Sequence, residues 1–337
     1  MKIFEKSQIG NLEIKNRFIM PPMCMYSAFD HDGIATQFHH AHYVSRAIGQ
    51  VGLILVEATG VTPEGRITDR CLGLWNDTQR DVLKEIVRDV HREGSKIGIQ
   101  LNHAGRKCTA IDGVDTIYGP SALAYSDDYR LPKAMSNEDI QSMIQAFVDS
   151  ARRAHEANFD VIELHFAHGY LLSSFMSPIS NQRTDRYRDA GFLYKELIDA
   201  IKTVWPKEKP IIVRISATDY EKDGYDVHHA INTLEPILND IDAIHVSSGG
   251  ITPINPKAYP GYQVPFATIV KNETQKPTIA VGLITTPEQA IDIIETHRAD
   301  YVAIGRGLLR NPHWVLEAMM NSKRKDLLPE QYLRGFR

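Results

Sequence analysis

Asp160-Val161-Ile162-Glu163-Leu164-His165-Phe166-Ala167-His168-Gly169-Tyr170 is an apolar run that ends in two histidines, a glycine and a tyrosine. Val161 to Leu164 has the length and composition of a buried strand, and Gly169 marks where extended structure stops. On a flat strand His165 and His168 point to opposite faces, because side chains alternate with a period of two. They converge only if the chain turns between them, as it does at the rim of a barrel. Two neutral imidazoles brought together there can hold an oxygen that gains negative charge during a reaction. Tyr170 adds a phenol, protonated at neutral pH and able to give its proton to a strongly basic carbon. A metal-ligand pair and two satisfied core histidines are the plainer readings, and this stretch alone leaves them open.

Working outward, the same unit recurs: a short β-branched run, a loop, then a segment with helical periodicity. The expected strands are 17–23, 51–58, 96–102, 159–165, 210–217, 242–248, 277–282 and 299–305. The expected helices are 38–48, 78–93, 136–158, 192–205, 226–239, 265–273, 286–296 and 312–321. Ser136 before Asn137-Glu138-Asp139, and Thr286 before Pro287-Glu288, carry the chemistry of helix N-termini. Eight alternations with mostly continuous apolar strands argue for a parallel sheet closed into a single (β/α)8 barrel, with a doubly wound open sheet as the rival. The segment 4–14, turning at Ile9-Gly10-Asn11-Leu12, is expected to form a hairpin that caps the barrel floor. No Pro/Ser-rich linker divides the chain, so 1–337 reads as one domain with a tail at 320–337.

With 337 residues, 43% hydrophobic and 24% charged, the chain has the make-up of an ordinary globular protein with a substantial core. A formal net charge of -4 and a pI near 6.4 give no electrostatic case for nucleic acid or an anionic membrane. Cys24, Cys71 and Cys108 form no Cys-x-x-Cys pair, which argues against a zinc ribbon or an iron–sulfur cluster. Met1-Lys2-Ile3-Phe4-Glu5-Lys6 lacks the apolar core of a secretory signal, and no apolar run reaches membrane-spanning length. The expectation is a cytoplasmic protein with reduced thiols and no bound metal.

A closed barrel puts functional residues just after its strands. The unusual residues fall there: Cys24 and Tyr26 after the first, Gln100 and His103 at the third, and His165 to Tyr170 at the fourth. Gly282 and Gly305-Arg306 end the last two strands, where glycine amides and a guanidinium suit a phosphate, or simply a tight strand–helix turn. Arg214, set in Ile211-Ile212-Val213-Arg214-Ile215, must meet an anion because a lone buried guanidinium is costly. That anion is a structural carboxylate such as Glu163, or a cofactor that becomes anionic when reduced. Gln100 offers a donor and an acceptor to a heterocyclic amide edge. Cys24, in Pro21-Pro22-Met23-Cys24-Met25-Tyr26, reads better as a small soft residue packed against a ring than as a nucleophile.

These stretches together resemble the Old Yellow Enzyme family of FMN-dependent ene-reductases, in its short bacterial NADPH dehydrogenase branch. The resemblance runs through Asn16 to Tyr26, His42-Tyr43, Gly52 to Ala58, Gln100 to Lys107 and His165 to Leu171. It continues through Ser177-Pro178, Arg183-Thr184-Asp185, Val213 to Ser216, Pro260 to Gln263 and Ile304 to Arg306. It implies FMN across the barrel mouth, with Pro21, Pro22, Met23 and Cys24 lining the flavin and the Cys24 thiol tuning its potential. Ala58 and Gln100 would meet the polar edge of the ring, Arg214 the reduced anion, and Gly282, Gly305 and Arg306 the phosphate. It implies a ping-pong reaction: NADPH reduces FMN and leaves, and an activated alkene or nitro compound takes its place. His165 and His168 would bind the substrate oxygen, Tyr170 would protonate the α-carbon, and Tyr26 would position the substrate. Arg334 in the tail resembles an arginine that enters a neighbouring subunit's pocket in a homo-oligomer, a dimer or tetramer. Two departures stand out: the altered loop after Asp185, and Asn102 where relatives often carry a smaller or apolar residue. The competing readings are another FMN barrel oxidoreductase, such as a dihydrouridine synthase or dihydroorotate dehydrogenase relative, and a non-catalytic flavin-binding barrel.

Overall fold

Eight parallel strands close on themselves in chain order in the computed structural model, which describes residues 1–336. They are β1 Phe18–Met20, β2 Leu53–Gly60, β3 Lys96–Asn102, β4 Val161–Phe166, β5 Ile211–Ser216, β6 Ala243–Ser247, β7 Thr278–Ala280 and β8 Tyr301–Ala303. The last returns to the first, with Val302 opposite Phe18, so the sheet keeps no open edge. Around it lie α1 Gln37–Ile48, α2 Asp77–Arg92, α3 Asn137–Glu156, α4 Ala190–Ile201, α5 Val227–Leu234, α6 Val264–Thr274, α7 Pro287–Glu295 and α8 Trp314–Asn321. The closed (β/α)8 barrel is therefore the fold, and the open-sheet rival is excluded.

Strand alternation sorts the apolar residues into two cores. Leu53, Leu55, Val161, Ile212, Ala243 and Ile279 pack together inside the barrel. Ile54 and Val56, from the same strand as Leu53 and Leu55, pack outward in the shell of helices. Gly98 is needed inside, because a Cβ there would stand 2.4 Å from Val161 Cγ1 and 2.8 Å from Leu55 Cδ2. The hairpin of Ser7–Ile9 and Leu12–Ile14 turns through Gly10 at φ +53 and sends Ile9 and Ile14 into that interior cluster. It plugs the floor as expected, each isoleucine contributing about 1.5–3 kcal/mol of burial.

Differences from the expected boundaries have local causes. β1 stops at Met20 because Pro21 and Pro22 have no N–H for the ladder. α5 ends at Leu234 and the chain tightens into a 3-10 stretch, Glu235–Asp240, where Pro236 interrupts the helical bonds. α4 starts at Ala190 rather than at 192, capped by the Asp189 side chain, which accepts the Gly191 N–H at 2.9 Å. The altered loop before it holds a 3-10 turn, Arg186–Arg188, capped by Asp185. Ser136 and Thr286 cap their helices as expected. A short helix, Leu171–Met176, and a small ladder of Tyr118–Gly119 with Lys133–Ala134 were not foreseen. Among the described residues no helix is long and apolar enough to cross a membrane.

Candidate active site

The inward-facing residues at the C-terminal ends of β3 to β6 form one row. His165 lies opposite Arg214, and Arg214 opposite His245. The β3–β4 register, which pairs Leu101 with Leu164, puts Asn102 next to His165. Every member of this row has a buried polar atom with no hydrogen-bond partner: both amide atoms of Asn102, His165 Nδ1, Arg214 Nε and His245 Nε2. Each such group costs about 1–3 kcal/mol when left dry. Clustered in one row, they mark where a polar ligand fits.

Just beneath, Gln100 Nε2 donates to Glu163 Oε1 at 2.7 Å, and His245 Nδ1 meets Glu163 Oε2 at 2.7 Å. This corrects the idea that Glu163 is bonded to Arg214: its two oxygens are taken by Gln100 and His245. Arg214 feels the carboxylate only as a nearby charge, which opposes the lowering of its pKa by burial.

The chain does turn between the two histidines. His168 adopts φ +62 and Gly169 φ +72, a conformation that a residue with a Cβ holds only under constraint. The constraint comes from Ser216 Oγ, which accepts the His168 N–H at 2.9 Å, and from Lys107 Nζ, which donates to the His168 carbonyl at 2.9 Å. The turn sets the His165 ring 5.0 Å from that of His168 and 5.1 Å from that of Tyr170, centroid to centroid. His165 Nε2 and His168 Nδ1 face each other at 3.3 Å, while His168 Nε2 lies 2.7 Å from Ser247 Oγ. Burial, then the charge of Arg214, holds both imidazoles well below the usual histidine range, so they are neutral. Burial pushes the Tyr170 phenol well up, so it keeps its proton. Among the described residues no group of three or more His, Cys, Asp or Glu side chains that could hold a metal ion is assembled.

Cys24 and Ala58 meet on the other side of the mouth. β2 slips register against β3 between Val56 and Thr59, and the Ala58 N–H bonds the Cys24 sulfur. A hydrogen bond with the Cys71 thiol, then burial, pushes the Cys24 thiol well up, and the same bond lowers Cys71 to about 7. Cys24 is thus a protonated thiol rather than a nucleophile. Its loop is pinned by Glu57, whose carboxylate accepts the Met25 N–H at 2.7 Å and the Tyr43 hydroxyl at 3.2 Å. Tyr26 leaves that loop at φ +52, 45% exposed, its phenol pushed up to about 12 by burial and the nearby thiols.

At the far end of the mouth is a cavity of about 530 Å³, whose walls include Lys107, His168, Arg214, Gly282, Gly305 and Arg306. Gly282 has φ +123, which bars other residue types. Gly305 is different: a Cβ there would come no nearer than 3.6 Å to Met23 Sδ and 3.7 Å to Pro21 Cγ. Packing against the protein alone therefore does not require glycine at 305. Arg306 is exposed and makes no hydrogen bond or ion pair among the described residues. The chemistry of this lining, glycine backbone and an exposed guanidinium at one end and unpaired polar groups at the other, is of the kind that suits FMN.

The structure thus draws together the candidates from β1, β3, β4, β5, β7 and β8. Arg334 is exposed in the 3-10 stretch Glu330–Phe336 and is not part of this cavity, and neither is the loop 186–192. Sequence reasoning assigned no role of their own to Lys107, Ser216 and Cys71, and it missed the pairing of Glu163 with Gln100 and His245.

The family pattern described as NADH:flavin oxidoreductase / NADH oxidase matches residues 2–325. An NADPH dehydrogenase of Clostridium acetobutylicum is 46% identical over 341 residues, covering 100% of both chains. An NADPH dehydrogenase of Bacillus subtilis is 44% identical, covering 99% of each. Among solved structures, morphinone reductase superposes with a TM-score of 0.82 at 25% identity, over 95% of this chain and 89% of that one. A 2-naphthoyl-CoA reductase, 20% identical, shares the fold with a TM-score of 0.88 over 97% of this chain and 53% of its own. Relatives that match from end to end, around a barrel mouth whose unpaired groups suit a flavin, place the chain in the Old Yellow Enzyme family, as an FMN-dependent NADPH dehydrogenase.

Proposed function

We propose that this enzyme is an ene-reductase, using NADPH to reduce the activated C=C bond of α,β-unsaturated carbonyl and nitro compounds, with nitrate esters and nitroaromatics as further substrates. One observation carries the reading: His165 Nε2 and His168 Nδ1 face each other at 3.3 Å beside the ring of Tyr170. Both imidazoles are neutral, and an acceptor oxygen that replaces their mutual hydrogen bond would meet a nitrogen of each. To donate to that oxygen, His168 must carry its proton on Nδ1, with Nε2 as the acceptor 2.7 Å from Ser247 Oγ. The pair then stabilises enolate-like charge on that oxygen.

When bound, FMN supplies the redox chemistry, taking hydride from NADPH and delivering it to the β-carbon of the alkene. Tyr170 gives its proton to the α-carbon, a role that needs a phenol still protonated at working pH. NADPH and alkene use the same mouth, so the reaction is ping-pong. Pro21, Pro22, Met23 and Cys24 would line the ring, where the Cys24 thiol would tune its potential. Ala58 and Gln100 would meet its polar edge, Arg214 would balance the charge gained on reduction, and Gly282, Gly305 and Arg306 would hold the phosphate. Tyr26 positions the substrate. We take 1–337 as one FMN-binding barrel domain of a cytoplasmic homo-oligomer, a dimer or tetramer. Its tail from 320 onward would bring Arg334 to the pocket of a neighbouring copy.

The test is an anaerobic titration of the purified, yellow protein with NADPH, followed by a panel of enones, maleimides, nitroalkenes and nitrate esters. Bleaching by NADPH and recovery of colour with cyclohexenone is the expected result. Bleaching without recovery by any of the panel would leave a flavin-binding barrel of another kind.

A further inference from the structure

Gln100, Glu163 and His245 form a chain of hydrogen bonds under the mouth, with Glu163 at its centre. Glu163 and His245 are fully buried and Gln100 is 1% exposed. A carboxylate has only lone pairs to offer, so each neighbour must turn a proton toward Glu163. For Gln100 this commits the amide nitrogen, 2.7 Å from Glu163 Oε1, and leaves the carbonyl oxygen free. For His245 it commits Nδ1, 2.7 Å from Glu163 Oε2. Burial, and then the charge of Arg214, lowers the pKa of His245, so the imidazole is neutral and its unpartnered Nε2 carries a lone pair. Arg214 sits between His165 and His245 in the row and can only donate.

We propose that Glu163 is a positioning residue that writes the donor–acceptor pattern of the mouth. It fixes Gln100 with its carbonyl uncommitted, on β3, while Arg214 offers its donors from β5 on the other side of β4. The site therefore selects a ligand that brings an N–H to Gln100 and an acceptor to Arg214. The pyrimidine edge of FMN, an imide N–H between two carbonyls, offers both; the inference rests on the reading that this edge lies over Gln100. An unconstrained glutamine could present either end of its amide and would not discriminate. Glu163 supplies that constraint without touching the ligand.

The experiment compares FMN with FMN methylated at the imide nitrogen, binding each to apoprotein and following the quenching of flavin fluorescence. In the wild type the methylated compound should bind at least about tenfold more weakly, because the Gln100 carbonyl loses its donor. In Glu163→Gln the new amide can accept or donate, Gln100 is free to turn over, and the discrimination should shrink to within about threefold. Unchanged discrimination in Glu163→Gln would overturn the proposal while leaving the placement of the ring intact. A wild type that binds both compounds equally would overturn that placement, and the proposal with it. Should the variant fail to fold, the Gln100 side-chain amide can be followed by NMR in wild-type protein. Its two protons should keep their shifts when FMN binds, and a large change would mean that the amide turns over and that Glu163 does not hold it.

Discussion

The two ends of the barrel interior are built from the same strands and behave in opposite ways. At the floor, Leu53, Leu55, Val161 and Ile212 close on Ile9 and Ile14 of the hairpin. Even the hydroxyl of Tyr301, in the same cluster, is bonded, to the carbonyl of Gln8 at 2.5 Å. At the mouth the inward positions change to Asn102, His165, Arg214 and His245, each with a polar atom left unpaired. Side-chain alternation is the same at both ends, so the difference lies in composition alone. The floor supplies stability and the mouth holds unsatisfied groups in place for a ligand, which is the division expected of this fold. Substitutions at the two ends should therefore separate stability from chemistry.

The largest separation is expected at Tyr170. Tyr170→Phe keeps the ring and loses the proton, so turnover of an enone should fall by about 10²- to 10⁴-fold. Reduction of the flavin by NADPH should stay within about threefold, because no proton is needed there; stopped-flow measurement of the two half-reactions decides it. If both fell together, Tyr170 would not be the proton donor. At the floor, Ile14→Ala should cost about 2–5 kcal/mol of unfolding free energy by denaturant titration. It should leave the KM for alkene unchanged, and a large change in KM would mean that the two ends are coupled. Arg214→Met should show both effects with opposite signs. Removing a buried, unpaired guanidinium should stabilise the apoprotein by about 1–3 kcal/mol, while FMN is held roughly ten- to hundredfold less tightly. Loss of stability in the apoprotein would mean that Arg214 is satisfied without a ligand.

The barrel was legible because its signals are local. Each strand is a continuous apolar run, each helix has its own period, and Gly10 announces the hairpin turn. The mouth was legible where chemistry and position coincide: His165, His168 and Tyr170 are close in sequence, and Gly282 and Gly305-Arg306 sit at strand ends. What could not be read were pairings across the barrel. Glu163 reaches Gln100 and His245 across 63 and 82 positions of sequence, and no pattern in the chain distinguishes them from Arg214 as partners. The Cys24–Cys71 contact and the grip of Lys107 on the His168 turn are likewise products of closure. Helix starts shifted for a simpler reason: Asp189 caps α4, and the apolar periodicity that set the expected start at 192 does not register a cap.

Acid should act on the mouth before the floor. The floor is closed by apolar side chains such as Ile9, Ile14, Leu53 and Leu55, whereas His165, His168 and His245 lie in or beside the unpaired row. Burial holds all three below the usual range and also lowers nearby His103, to about 4, and His42, on α1, to about 3. An unfolded histidine takes up its proton near pH 6.5. From there down to about 4 the unfolded chain binds a proton that folded His103 refuses, so stability falls as pH falls. Each such group contributes at most about 1.4 kcal/mol per pH unit. Asp219 works the other way: burial raises its carboxyl to about 6, the folded form is protonated first, and its contribution offsets about one histidine between pH 6 and 4. The net expectation is a loss of stability below pH 6.5 that is steeper than the exposed carboxylates alone would give. His103→Asn, which can still accept the Gly105 N–H now bonded to Nδ1 at 3.1 Å, should flatten the slope by about 1.4 kcal/mol per pH unit above pH 4. Hydrogen exchange at pH 5 should quicken across 103–107 and 165–170 while 7–14 stays protected. Equal exchange at both ends would mean that the mouth histidines titrate as they do in water, and that the mouth is not the dry, unsatisfied site described above.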